Sequence, residues 1–152
     1  MRLIDLMDKT AVIPDLKGRE KREVLTEFGA AMAPSVGMKP EEVVRVLVDR
    51  EKLGSTGIGD GVAIPHGKIA GLNGLHVGFA RSTAGVDFEA MDGAPTHLFF
   101  ILIAAEESVG EHLKTLARIS RLLKESVLRA RLMKVQTKEE ILSVIEEEDA
   151  KQ

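Results

Sequence analysis

Residues 53–68 read Leu53-Gly-Ser-Thr-Gly-Ile-Gly-Asp-Gly-Val-Ala-Ile-Pro-His66-Gly-Lys68, and this stretch divides the chain. Before it, apolar residues recur with the period of a helix; after it they alternate as in a strand. Four glycines in the eight positions 54–61 free the backbone, and Val62-Ala63-Ile64-Pro65 then stiffens it. One imidazole, His66, stands after the stiff piece and before another glycine. An imidazole with a pKa around 6.5 attacks electrophiles near neutral pH. Neighbouring glycines let a phosphate group or a second protein come close to the backbone. The layout presents a histidine for chemistry. The alternative is a tight turn whose histidine caps or packs.

Upstream, Ala11-Val-Ile-Pro14 reads as a short strand, and Arg19 to Ala33 as a helix with Val24, Leu25, Phe28 and Met32 on one face. Pro40 opens a second helix, with Glu41 and Glu42 at the positive end of its dipole and Gly54 as its stop. Downstream, Leu75, Val77 and Phe79 alternate with His76, Gly78 and Ala80, and Val86 to Ala90 alternates again before an Asp92-Gly93 turn. Leu98 to Ile103 is apolar on both faces and predicts a central buried strand. Ser108-x-x-Glu111 and Thr137-x-x-Glu140 are capping boxes. The first starts a helix to about Lys124, and the second starts the last helix. Val127 to Met133 is a short helix between them. Helices, then strands, then helices predict an α+β fold: one mixed β-sheet flanked by helices on both faces, in α/β/α layers, as a single domain.

Composition excludes several classes of function. The 152 residues suit one domain, and 44% hydrophobic content supplies a core. Five Phe with no Trp or Tyr argue against base stacking, and a net charge of −3 with interspersed signs argues against a nucleic-acid partner. Without cysteine there is no disulfide and no thiolate metal site. Asp5 and Asp8 interrupt any leader-like apolar run, and the longest apolar run, Leu98 to Ala105, is far too short for membrane insertion. The chain reads as soluble and cytoplasmic.

Helical geometry supplies His66 with two partners. Arg50 follows Val43 by seven residues and Val46 by four, near the inward face of its helix at the last turn. Such an arginine needs an anion. That anion is either a ligand or a carboxylate such as Glu51 or Asp60. His112 lines up with Leu116, Ile119 and Leu123 on an apolar stripe, in a first turn that welcomes an anion. It is either a core residue or part of a site. Together the three side chains can hold a phosphoryl group. His76 and His97 read as structural or surface residues. The phosphate-loop and dinucleotide fingerprints both fail at Val62, and no zinc-hydrolase or Ser-His-Asp pattern is present.

The stretch from Arg50 through His66 to Lys68 closely resembles the phosphorylation-site motif of the fructose/mannitol-type enzyme IIA domain of the bacterial phosphoenolpyruvate-dependent phosphotransferase system. Val86-Asp-Phe88, Met91-Asp-Gly-x-Pro95, the strand ending Ala104-Ala105 and the helix start Glu111-His112-Leu113 extend the likeness over nearly the whole chain, 1–152. The resemblance implies that His66 accepts phosphate from the histidine-containing phosphocarrier protein, or its nitrogen-branch counterpart, and passes it to an enzyme IIB or to a regulatory target. It implies that Arg50 and His112 flank the active site. Ser55 and Thr56 match a Ser-Thr pair that offers hydroxyls or N–H groups to the phosphate. No cofactor and no metal is required. Permease IIB and IIC segments do not lie in this chain, which favours the nitrogen-regulatory branch; a soluble IIA subunit feeding a fructose or mannitol permease is the second reading. A binding module that has lost phosphotransfer is the third, and retention of His66, Arg50 and His112 together argues against it.

Overall fold

All but one of the residues 96–105 are buried, because both faces of this strand are covered. A computed structural model describes residues 2–152. After a 3-10 turn at Leu3–Leu6 come β1 (Met7–Ile13), α1 (Lys21–Val36), α2 (Pro40–Glu51), β2 (Gly57–Gly59), β3 (Val62–Ala63), β4 (His66–Ile69), β5 (Leu75–Val86), β6 (Thr96–Ala105), α3 (Val109–Leu123), α4 (Ser126–Lys134) and α5 (Lys138–Asp149). The six strands form one mixed sheet in the order β1-β5-β6-β3-β2, with β4 also on β6. β5 and β6 are antiparallel, whereas β3 and β4 both run parallel to β6, at Leu98–Phe99 and Leu102–Ala105.

The alternation of β6 sorts the core into two halves. Leu98, Phe100 and Leu102 pack with Ile119, Leu122, Leu128, Leu132 and Ile141 of α3, α4 and α5. Phe99, Ile101 and Ile103 pack with Val24, Phe28, Met32, Val43 and Leu47 of α1 and α2. This is the predicted three-layer α/β/α arrangement. Among the described residues no helix is long and apolar enough to cross a membrane.

Four local expectations are corrected. The glycine-rich stretch is not one loop: it folds into β2, β3 and β4, and His66 opens a strand. Strands of two to four residues carry no periodicity of their own: β3 and β4 take their hydrogen bonds from the distant β6, and β2 pairs on β3. The first alternating segment after Leu75 runs on as β5 to Val86, with an irregularity in register between Arg81 and Val86. The second, Val86 to Ala90, forms no strand of its own beyond an isolated bridge at Asp87. β1 begins at Met7, four residues earlier than expected, because an edge strand paired on β5 does not need an apolar outer face. Ser108 caps α3 only through its backbone: no side-chain cap bond forms, at φ −96° and ψ 48°. The Thr137–Glu140 box does form.

Candidate functional site

Arg50 lies in the last turn of α2, whose Val43 and Leu47 anchor the helix to the core. It is half-buried, and its Nη1 donates to the carbonyl of Gly54 at 3.0 Å, bracing the turn beyond the helix. The ion pair with Glu51 or Asp60 is not formed. The Glu51 carboxylate turns instead to Lys21, at 2.8 Å.

His66 starts β4 at the sheet edge. Its Nδ1 lies 2.7 Å from the carbonyl oxygen of Ile64. A carbonyl only accepts, so Nδ1 carries the proton and Nε2 holds the free lone pair. Burial is the main cause that lowers the His66 pKa, and the Arg50 and Lys68 charges push the same way. The Ile64 bond and Glu51 oppose them. The balance favours a neutral imidazole.

His112 comes from the first turn of α3 and is only 3% exposed. The two imidazole centroids are 5.5 Å apart with planes at 86°. Burial, then the His66 and Lys68 charges, push the His112 pKa down to about 4. Its Nδ1 is buried without a hydrogen-bond partner among the described residues. An orphaned N–H is rarer in folded proteins than an orphaned acceptor, so the proton belongs on Nε2. The pair is therefore complementary: His66 offers a lone pair, and His112 a donor.

Arg50, His66, Lys68 and His112 line one cavity of about 490 Å³. Leu53 (84% exposed), Val109 and Leu113 stand at its mouth as exposed apolar side chains. Lys68 is an addition to the residues expected from sequence, although the two-residue period of a strand places it on the same face as His66. Ser55 and Thr56 do not line this cavity. Ser55 Oγ donates to the carbonyl of Phe88 at 2.8 Å, and the Thr56 hydroxyl donates to Glu51 in a short hydrogen bond. His76 bonds Ser35 and the carbonyl of Asn73, and His97 bonds the carbonyl of Ser82, both away from the site.

Residues 5–148 match the family described as "Phosphoenolpyruvate-dependent sugar phosphotransferase system, EIIA 2", and the chain belongs to that family. A Bradyrhizobium diazoefficiens nitrogen regulatory protein is 42% identical over 145 residues, 95% of each chain. The crystal structure of nitrogen regulatory protein IIA-Ntr from Neisseria meningitidis superposes with a TM-score of 0.88 at 34% identity, over 94% of this chain and 98% of that one. The fructose-specific EIIABC component of Bacillus subtilis is 32% identical over 150 residues, 98% of this chain but 24% of that longer protein.

Proposed function

We propose that this protein is a regulatory, nitrogen-type phosphoryl carrier of the phosphotransferase system that accepts its phosphoryl group on Nε2 of His66. The observation that carries the reading is the 2.7 Å bond from Nδ1 to the Ile64 carbonyl. It directs the lone pair to the other nitrogen and holds the ring in one orientation. The bond to phosphorus forms at Nε2 as the phosphorus–nitrogen bond on the donor's imidazole breaks. The His66 ring then gains positive character, and the Ile64 carbonyl stabilises the retained Nδ1–H. The transferring group is loose and anionic, so positive charge and position supply most of the rate. Arg50 offers a planar fork, Lys68 a second charge, and His112 a donor near the positive end of α3.

The donor is a histidine-containing phosphocarrier protein, and the apolar mouth of Leu53, Val109 and Leu113 suits a protein surface. The Bradyrhizobium relative supports the regulatory branch. The second reading, a cytoplasmic IIA subunit passing phosphate to a IIB component, is supported by the Bacillus relative named for fructose. Incubation with phosphoenolpyruvate, enzyme I and the carrier should label the wild type on one histidine and leave His66→Ala unlabelled. Label persisting in His66→Ala overturns the assignment. Onward transfer to a purified fructose or mannitol IIB at the rate of its own IIA favours the second reading.

A further inference from the structure

We propose that Glu51 is the positioning residue of this site, a buried carboxylate that ties Arg50 and the ring of His66 to one anchor. The inference rests on the reading of His66 as the phosphoryl acceptor. Glu51 is the last residue of α2 and adjoins Arg50 in the chain. Its Oε1 accepts from Lys21 Nζ at 2.8 Å and from the Thr56 amide at 3.1 Å, while Oε2 accepts from the Thr56 hydroxyl. Lys21 is the first residue of α1, and its ammonium lies 5.0 Å from the centroid of the Phe88 ring. Both side chains of the ion pair are largely buried. An ammonium held between a carboxylate and an aromatic face in such a setting is a fixed pole, unlike a solvated surface pair.

The connection runs on from Thr56. Its carbonyl accepts from the Ile64 amide at 3.1 Å, and the Ile64 carbonyl accepts from Nδ1 of His66 at 2.7 Å. Residue by residue, a hydrogen-bonded path leads from Lys21 through Glu51, Thr56 and Ile64 to the imidazole. Between Thr56 and Ile64 lie Gly57, Gly59 and Gly61, with Gly59 and Gly61 at φ +94° and +75°. A segment so rich in glycine has little stiffness of its own, so its geometry depends on where its ends are held. Glu51 holds one end and is covalently continuous with Arg50. The same carboxylate thus anchors the end of the helix that carries Arg50 and, through Thr56 and Ile64, sets the orientation and tautomer of the nucleophile. Its negative charge also opposes Arg50 and Lys68 at His66.

The test uses Glu51→Gln, which keeps shape but removes charge, and Thr56→Val, which keeps the charge and amide but removes the hydroxyl. Three quantities are read: thermal unfolding, phosphorylation rate per folded molecule, and the 15N shifts of the His66 ring in the unphosphorylated protein. Glu51→Gln should slow transfer by about tenfold to a hundredfold, as small misplacements of reacting groups do. Its His66 ring shifts should move from the Nδ1–H form toward a mixture of tautomers, and Thr56→Val should do the same more weakly. A Glu51→Gln protein with the wild-type rate per folded molecule and unchanged ring shifts overturns the proposal, whatever its melting temperature. If Glu51→Gln does not fold, Thr56→Val decides by the same two readouts. A wild type that is not labelled on His66 overturns the phosphoacceptor reading instead, and the ring shifts still judge Glu51.

Discussion

The imidazole of His112 meets that of His66 edge-on, at 86° and 5.5 Å between centroids, although the two rings come from different layers of the molecule. His66 stands on the sheet edge, and His112 descends from α3 on one face. Arg50 reaches the same cavity from α2 on the other face. The site is the gap where both helical layers overhang a short edge strand. Whatever shifts either layer against β4 changes the distances among these three side chains.

Arg50→Lys should fold as the wild type does, because Arg50 makes one hydrogen bond to a backbone carbonyl and is only half-buried. A lysine retains the charge but loses the fork that binds two phosphate oxygens. Phosphorylation should slow by about a hundredfold or more, the usual effect of losing a contact made in the transition state. Rapid-quench rates equal to wild type would leave Arg50 as a brace for Gly54 alone.

His112 carries a prediction about pH. Its ring protonates near pH 4 in the folded protein, against 6.5 for the ordinary group. Between those values the unfolded chain binds the extra proton. The contribution of His112 is therefore fully present above about pH 6.5 and is lost as pH falls toward about 4. Denaturant unfolding across this range should show the loss, and His112→Gln should flatten it. The same variant should still be phosphorylated on His66, while transfer onward falls more. A Gln variant that melts several degrees lower yet transfers at the normal rate makes His112 a core residue.

Gly67→Ala probes the contact between α2 and β4. A methyl group at this position would collide with Cγ1 of Val46 on α2, the helix that carries Arg50. Overpacking of this kind costs about 1–3 kcal/mol, and here it also moves α2 away from His66. Both stability and transfer rate should fall, and adding Val46→Ala should restore much of each. Failure of that second change to rescue transfer would uncouple the helix position from the chemistry.

Arg81 is 3% exposed and donates from Nε to the Pro14 carbonyl at 2.8 Å and from Nη1 to the carbonyls of Leu132 and Val135. It clips the end of β1 to the turn after α4. Arg81→Met leaves three carbonyls without their donor, one of them buried and two part-buried, which should cost about 2–3 kcal/mol. Urea unfolding measures the loss. Transfer per folded molecule should stay near wild type, because Arg81 does not line the His66 cavity.

Much of this architecture is legible in the order of residues alone. The unbroken apolar run of β6 marks a strand covered on both faces. The 3.6-residue period marks the helices, since burial of one helical stripe leaves a local imprint on the sequence. His66 stands out by its glycine context, and Arg50 and His112 by inward placement on a helix. The anchoring leaves no such mark. Glu51 has the local signature of one more charge at a helix end, yet it is buried and paired to Lys21, thirty positions back in the chain. The family resemblance casts Thr56 as a phosphate ligand, yet its hydroxyl and its amide both go to Glu51. A side chain's partner across the fold leaves no period and no spacing to read.

By itself, then, the sequence determined the order of the main elements, the central strand and the layered class, and it singled out three side chains that line one cavity. All of these follow from burial periodicity and local backbone freedom, which act over a few residues. Only the tertiary structure decided that residues 57–69 become β2, β3 and β4. Strands this short exist because β6, contributed by residues 96–105, supplies the hydrogen bonds that β3 and β4 cannot make alone, and β2 then pairs on β3. It alone decided that α2 and α3 overhang the same edge. That depends on how two cores pack on opposite faces of one sheet, and packing is a property of surfaces that meet only once the chain has folded.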